Sequence, residues 1–236
     1  RSELPGLSPH QTHITIDASN AGIIIDGTDV HGDWNTGLGI YTNDCVVMGL
    51  QVVNFAGSGI AVCEGNGNRI GGDRALGIGP TGQGNLVSGN RIGIDLCNIG
   101  TGNVVTGNII GTDASLTNDW GNEYVGVYIE QQMHGNTIGP GNVLAHNGAG
   151  IRISGLEATG NTITRNIFRQ ADTAKILLVN GAEADLETPF LTEVDPASGV
   201  VAGTACAGCT VEAYTYSDAG MTQFEGVVVA DAFGAF

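Results

Sequence analysis

The sequence predicts an all-β chain, a right-handed parallel β-helix with three strands per coil followed by a small antiparallel module. Three observations carry this. Gly-Ile or Gly-Val recurs at Gly59-Ile60, Gly93-Ile94, Gly126-Val127 and Gly150-Ile151. A Gly-Asn follows each at Gly67-Asn68, Gly102-Asn103, Gly135-Asn136 and Gly160-Asn161. A third mark completes each unit, at Gly84-Asn85, Gly107-Asn108, Gly141-Asn142 and Arg165-Asn166. Side chains on a strand alternate in direction with period two. A three-strand unit cannot bury its apolar face alone and must stack on copies of itself.

The elements follow in chain order. Ile14 to Asp17 and Ile23 to Asp26 read as strands, and Gly39-Ile40, Asp44 to Val46 and Gly49 to Val52 form an early, weaker unit. Unit starts at 59, 93, 126 and 150 are 34, 33 and 24 residues apart. The longer steps place insertions at roughly Gly71 to Gly82 and Gly111 to Tyr124, at corners where solenoids tolerate them. Ile60, Ile94, Val127 and Ile151 form one inward column, and Ile70, Val105, Ile138 and Ile163 another, stacked about 4.8 Å apart. Glycine supplies positive φ at the corners. Asn68, Asn103, Asn136 and Asn161 form a predicted ladder, bonding to backbone or to the Asn of the next coil. The predicted domains are the β-helix over 1–181, a linker over 182–188 and a small β module over 189–236. In that module Val200 to Thr204, Thr210 to Tyr214 and Phe224 to Val229 read as antiparallel strands, and Asp231 to Gly234 as a turn.

Composition narrows the function. The 236 residues include 39 glycines, are 42% hydrophobic and carry a net charge of −16 with eight Lys plus Arg. Nucleic acid and anionic membranes need basic patches, so neither is an expected partner. The sequence shows no apolar run long enough to insert in a membrane and no signal peptide, so a mature or excised piece of a secreted protein is expected.

Asn68 to Gly71, Gly102 to Asn108, Ile110 to Asp113 and Asn136 to Gly139 resemble the parallel β-helix repeat proteins of bacterial cell surfaces, which share the pectate-lyase-like fold. The tail from Gly203 to Glu212 is similar to the Ig-like modules that follow such helices, here with fewer than the usual seven or so strands. The resemblance implies an extracellular or cell-surface location and long, modular proteins without an assigned activity. It equally implies polysaccharide lyases, hydrolases and epimerases working in a groove on the outer face.

Five cysteines follow. Cys206-x-x-Cys209 sits at a turn with no second pair and no nearby His, so a disulfide is preferred over a redox or zinc site. Cys63 and Cys97 share a column in adjacent coils, within bridging distance; a disulfide and a pair of half-buried thiols both remain open. Cys45 is expected outward-facing and free.

The outward column of strand one reads Tyr41, Ala61, Asp95, Tyr128, Arg152. Asp95, Tyr128 and Arg152 are the catalytic candidates, against the plainer reading of a mixed surface ladder. Hydrolases need paired carboxylates, and no second one falls in this column. Asn35-Thr36-Gly37 only partly echoes the hydrolase signatures of the resembled fold. Asp29 and Asp33 with Trp34, and Asp113 and Asp119 with Trp120, mark two loops fit to bind calcium or stack a sugar; the plainer reading is turn-forming Asp and wall-pinning Trp. Scattered His31, His134 and His146 offer no metal triad, so no cofactor is expected apart from calcium.

The sequence therefore predicts a non-enzymatic structural or adhesive β-solenoid, a filament or sheath subunit that self-associates at its open edges, with polysaccharide as a second partner. A β-helix carbohydrate-active enzyme is the alternative. No cap is legible before Gln11, and Val227, Val229, Phe233 and Phe236 are expected to lie exposed in an incomplete sandwich that a neighbour completes.

Overall fold

The computed structural model describes residues 4, 6–170, 173–182, 189–216 and 222–236. It separates into two compact units, Arg1–Ala182 and Glu183–Phe236. Of the predicted linker, 183–188 lies outside the described residues.

The first unit is a right-handed parallel β-helix whose three walls each hold six parallel strands. Wall A is built from Leu38–Ile40, Ser58–Cys63, Ile92–Cys97, Val125–Glu130, Ile151–Ser154 and Ile176–Val179. Wall B runs from Thr15–Asp17 to Thr162–Ile163, and wall C from Ile24–Asp26 to Ile167–Arg169. An extra parallel pair, Ile99–Thr101 with Gln132–His134, follows the wall A strands at one corner. Among the described residues no helix is long and apolar enough to cross a membrane.

Register puts like on like. Ile60, Ile94, Val127 and Ile151 are consecutive partners, as are Ile70, Val105, Ile138 and Ile163. All but Ile163 are fully buried, and each buried Ile or Val contributes roughly 1.5–3 kcal/mol. The first unit is shifted, however: Gly39 pairs with Ala61 and Leu38 with Ile60, so Gly37-Leu38 is the true mark and Tyr41 lies beyond the Asp95 column.

Asparagine forms a ladder at all three corners. Asn103 Oδ1 accepts from the Asn68 N–H (2.9 Å) and side-chain amide (3.1 Å), and Asn136 does the same for Asn103. Asn161 continues it from Asn136. The second ladder is Asn85, Asn108, Asn142 and Asn166; the third is Asn90, Asn122 and Asn147. In the coil below their starts, Cys45, Leu50 and Phe55 donate their backbone N–H to Asn68, Asn85 and Asn90. Cys45 thus stands at the foot of a ladder. It is wholly buried and free, which corrects the outward-facing expectation.

Gly107 shows why corners demand glycine. Its φ is +65°, and a Cβ there would lie 1.8 Å from the Gly72 carbonyl oxygen. The edge of the first coil is not bare: Leu7 bridges Ile40, donating its N–H to Gly39 and accepting from Tyr41. This single bridge covers the wall A edge only; Thr15–Asp17 and Ile24–Asp26 remain the edge strands of walls B and C.

The second unit contains two antiparallel hairpins, Phe190–Asp195 with Val200–Thr204 and Thr210–Tyr216 with Thr222–Val229. Cys206 and Cys209 are bonded at the intervening turn. Phe233 is 93% exposed and Val229 62%, while Phe236 pairs with Gly203 through both backbone bonds and is only half-exposed, unlike the expectation for it.

Candidate functional site

The outer face of wall A gathers the polar chemistry of the first unit. Strand alternation turns Ile94, Leu96, Val127, Ile129, Ile151 and Ile153 into the core, and so turns Asp95, Tyr128 and Arg152 outward. Register makes Asp95 and Arg152 the two neighbours of Tyr128 in adjacent coils. The structure brings these three candidates together.

It also brings in a residue the column reading missed. Glu130, two positions after Tyr128, lies beside Asp95: a carboxylate oxygen from each, with Cys97 Sγ, fall within 4.8 Å of one another. No second carboxylate stands in the Asp95 column itself, but Glu130 stands in the next outward column of the adjacent coil, and side-chain length brings the two carboxylates together across the diagonal. Asp95 is 9% exposed. Ser58 Oγ donates to its Oδ2 at 3.0 Å, and its buried Oδ1 has no partner. Burial, then the Glu130 charge, push its carboxyl up to about 7, against the opposing Ser58 hydrogen bond. Burial also raises Glu130, with a Tyr128 hydrogen bond opposing.

Aromatic rings and two guanidinium groups complete the face. Arg91 lies 3.9 Å over the Trp34 ring and 5.4 Å from that of Tyr124. Arg152 lies 5.3 Å from the Tyr124 ring and 5.9 Å from that of Tyr128, and its Nε is buried without a hydrogen-bond partner. Tyr124 and Tyr128 meet edge to face at 5.9 Å, packed on Ile92, Val125 and Ala149. Trp34 is 65% exposed and holds φ at +90°, which is rare for a bulky residue. Arg91 and Tyr124 escaped the sequence reading, yet a signal exists: each stands two residues before the glycine of a unit mark, in one shared column.

Cys63 and Cys97 are bonded across adjacent coils on this same face. The remaining candidates lie elsewhere. Asp113 accepts the backbone N–H groups of Ser115, Thr117 and Asn118 and the Ser115 hydroxyl, which hold its carboxyl well below the usual range. Asp119 accepts from the Gly121 N–H and sits 3.7 Å from His146. Both carboxylates thus organise the 111–124 loop, closed by the Thr112–Asp119 bridge. Asp29 and Asp33 are exposed. Trp120 lines a wall C groove with Ile24, Asp26, Val53 and Gly89.

A protein-family model described as periplasmic copper-binding protein (NosD) matches residues 7–178. No curated protein matches the chain. Copper sites favour imidazole and sulfur donors. Among the described residues, the one group of three Asp, Glu, His or Cys side chains with converging ligand atoms is Asp95, Cys97 and Glu130. Cys97 spends its sulfur on the bond to Cys63, leaving two hard carboxylates. That donor set does not fit copper.

Proposed function

The chain belongs to the periplasmic copper-binding protein (NosD) family, and on that premise we propose that it works outside the cytoplasm as a non-enzymatic structural and adhesive β-solenoid. One observation carries this reading. Of the carboxylate pair that a hydrolase would need, Asp95 is sealed in the wall, only 9% exposed and with one of its oxygens buried without a partner, and only Glu130 is half-exposed. A polymer bond must come within about 3 Å of an acid to be protonated by it. The buried asparagines of the first unit are spent on ladders that tie coil to coil.

Self-association is part of the proposal. The inward side chains of the last coil, Ile176 and Leu178, are 43% and 41% exposed, and Val227, Val229 and Phe233 expose apolar surface in the second unit. Open strand edges and bare apolar faces recruit further chains. Size-exclusion chromatography with light scattering tests this: assemblies support it, and a monomer of 24.1 kDa at all concentrations removes it.

The enzymatic alternative has its own support, a carboxyl raised to about 7 beside a second carboxylate. Incubation with pectin, alginate and neutral glycans decides between them. Depolymerisation abolished by Asp95→Asn would make the chain an enzyme; no cleavage of any of them supports the scaffold.

A further inference from the structure

From the outer face of wall A we infer a binding site for acidic saccharides, with Arg91 and Arg152 holding the sugar carboxylates and Trp34, Tyr124 and Tyr128 stacking the rings. The site goes beyond the scaffold reading and stands independently of self-association.

The charge balance makes the two arginines informative. The chain has eight basic residues against 24 acidic ones. Arg91 and Arg152 are the arginines placed against aromatic rings among the described residues. Among the described residues neither side chain forms an ion pair, and the Arg152 Nε is buried without a partner. Rings cover the faces of a guanidinium, whereas its N–H groups project in the plane. A guanidinium held against rings keeps in-plane N–H groups for a carboxylate, and in Arg152, whose Nε is buried, the terminal N–H groups are the ones that would grip it.

The other components suit the same ligand. Trp34 offers a flat, exposed ring on a backbone held at φ +90°, strain of the kind that collects at functional positions. Tyr124 and Tyr128 add two more rings on neighbouring surface, on the apolar footing of Ile92, Val125 and Ala149. The nearby acids are Asp95, Glu130, exposed Glu123 and exposed Asp33, which precedes Trp34. Burial disfavours the charged form of the first two, which weakens their repulsion of an anion. The rings and cations climb the wall from the loop before the first wall A strand to the fifth, an elongated track rather than a point site.

The test is calorimetric titration of the full chain with a galacturonate hexamer and with cellohexaose, at low and high salt. The hexauronate binds, salt weakens it, and cellohexaose binds at least about ten-fold more weakly. Arg91→Gln and Arg152→Gln each weaken the hexauronate about ten-fold or more, as loss of a charge-assisted hydrogen bond requires. Trp34→Ala, at an exposed ring that leaves the core intact, weakens both sugars and serves if an arginine variant misfolds. Arg69→Gln, on exposed wall B, is the control and changes nothing. Equal affinity for the neutral sugar, no binding of either, or equal loss in Arg69→Gln overturns the site. Those outcomes leave the scaffold reading untouched, whereas cleavage of the bound sugar would sink the scaffold reading and keep the site.

Discussion

Replacing Asn103 by alanine strikes the middle of a corner ladder. The residue is fully buried. Its Oδ1 accepts from the Asn68 backbone N–H at 2.9 Å, and its Nδ2 donates to the Gly65 carbonyl at 2.9 Å. Two further bonds join it to the amides of Asn68 and Asn136. Those two neighbours keep other partners, since Asn68 Nδ2 also reaches the Thr42 carbonyl and Asn136 Oδ1 still receives the backbone N–H of position 103. The loss therefore concentrates on two orphaned backbone groups. Each costs roughly 1–3 kcal/mol, so Asn103→Ala destabilises by about 4 kcal/mol, a large part of a typical domain's stability. Asn161→Ala removes the equivalent bonds at the half-exposed end of the ladder, where water substitutes, and costs about 1 kcal/mol. Urea unfolding followed by far-ultraviolet circular dichroism reads the difference as a shift in midpoint at constant slope. A loss below about 1 kcal/mol for Asn103→Ala, or equal losses at the two positions, would refute the claim that buried ladder bonds hold the coils together.

Gly107→Ala combines a φ of +65° with a Cβ 1.8 Å from a carbonyl and should cost well over 1 kcal/mol; Gly199→Ala, at φ +73° with nothing within 4 Å, should show only the backbone strain of about 1 kcal/mol. Native protein without reductant should label no thiol quickly, because Cys45 is buried and the other four cysteines are bonded, and denatured protein should label one; rapid native labelling would contradict the burial. Asp95 gives a pH signature: its carboxyl is raised in the fold from 3.8 to about 7, so the folded state holds the extra proton. Stability from this group is complete below about pH 4 and falls as pH rises through about 7, by at most ~4 kcal/mol. Asp95→Asn should therefore raise the melting temperature at pH 8 and change it little at pH 4; the reverse order would mean the carboxyl is charged in the fold. Titrating the oxidised protein with copper should give no one-to-one complex, and a tight stoichiometric site would refute the donor argument.

Much of this fold was legible because a solenoid repeats its physics. Gly-Ile and Gly-Asn marks recur only if each corner and each inward column meets the same environment, so the sequence alone stacks Ile60 on Ile94. Reading failed where the repeat was imperfect. In the first unit both Gly37 and Gly39 precede an apolar residue, and spacing alone could not choose between them. Cys45 looked outward because it follows Asp44 in a column taken as outward-facing, although it occupies the foot of the Asn68 ladder. The candidate site was harder still. Asp95, Tyr128 and Arg152 share a column and could be aligned, whereas Glu130 and Arg91 join them across columns and through a loop. Those approaches depend on side-chain length and rotamer, which periodicity does not encode.

The bond between Cys63 and Cys97 has a mechanical meaning. Pulled from its ends, a stack of coils peels one turn at a time, and each turn releases its full length of chain as slack. The residues between these two cysteines, 34 apart in sequence, are excluded from that release. At about 3.5 Å per residue the clip withholds roughly 120 Å of extension. A stretched chain would come up short by that amount, still holding one closed turn when every other coil had run out into thread.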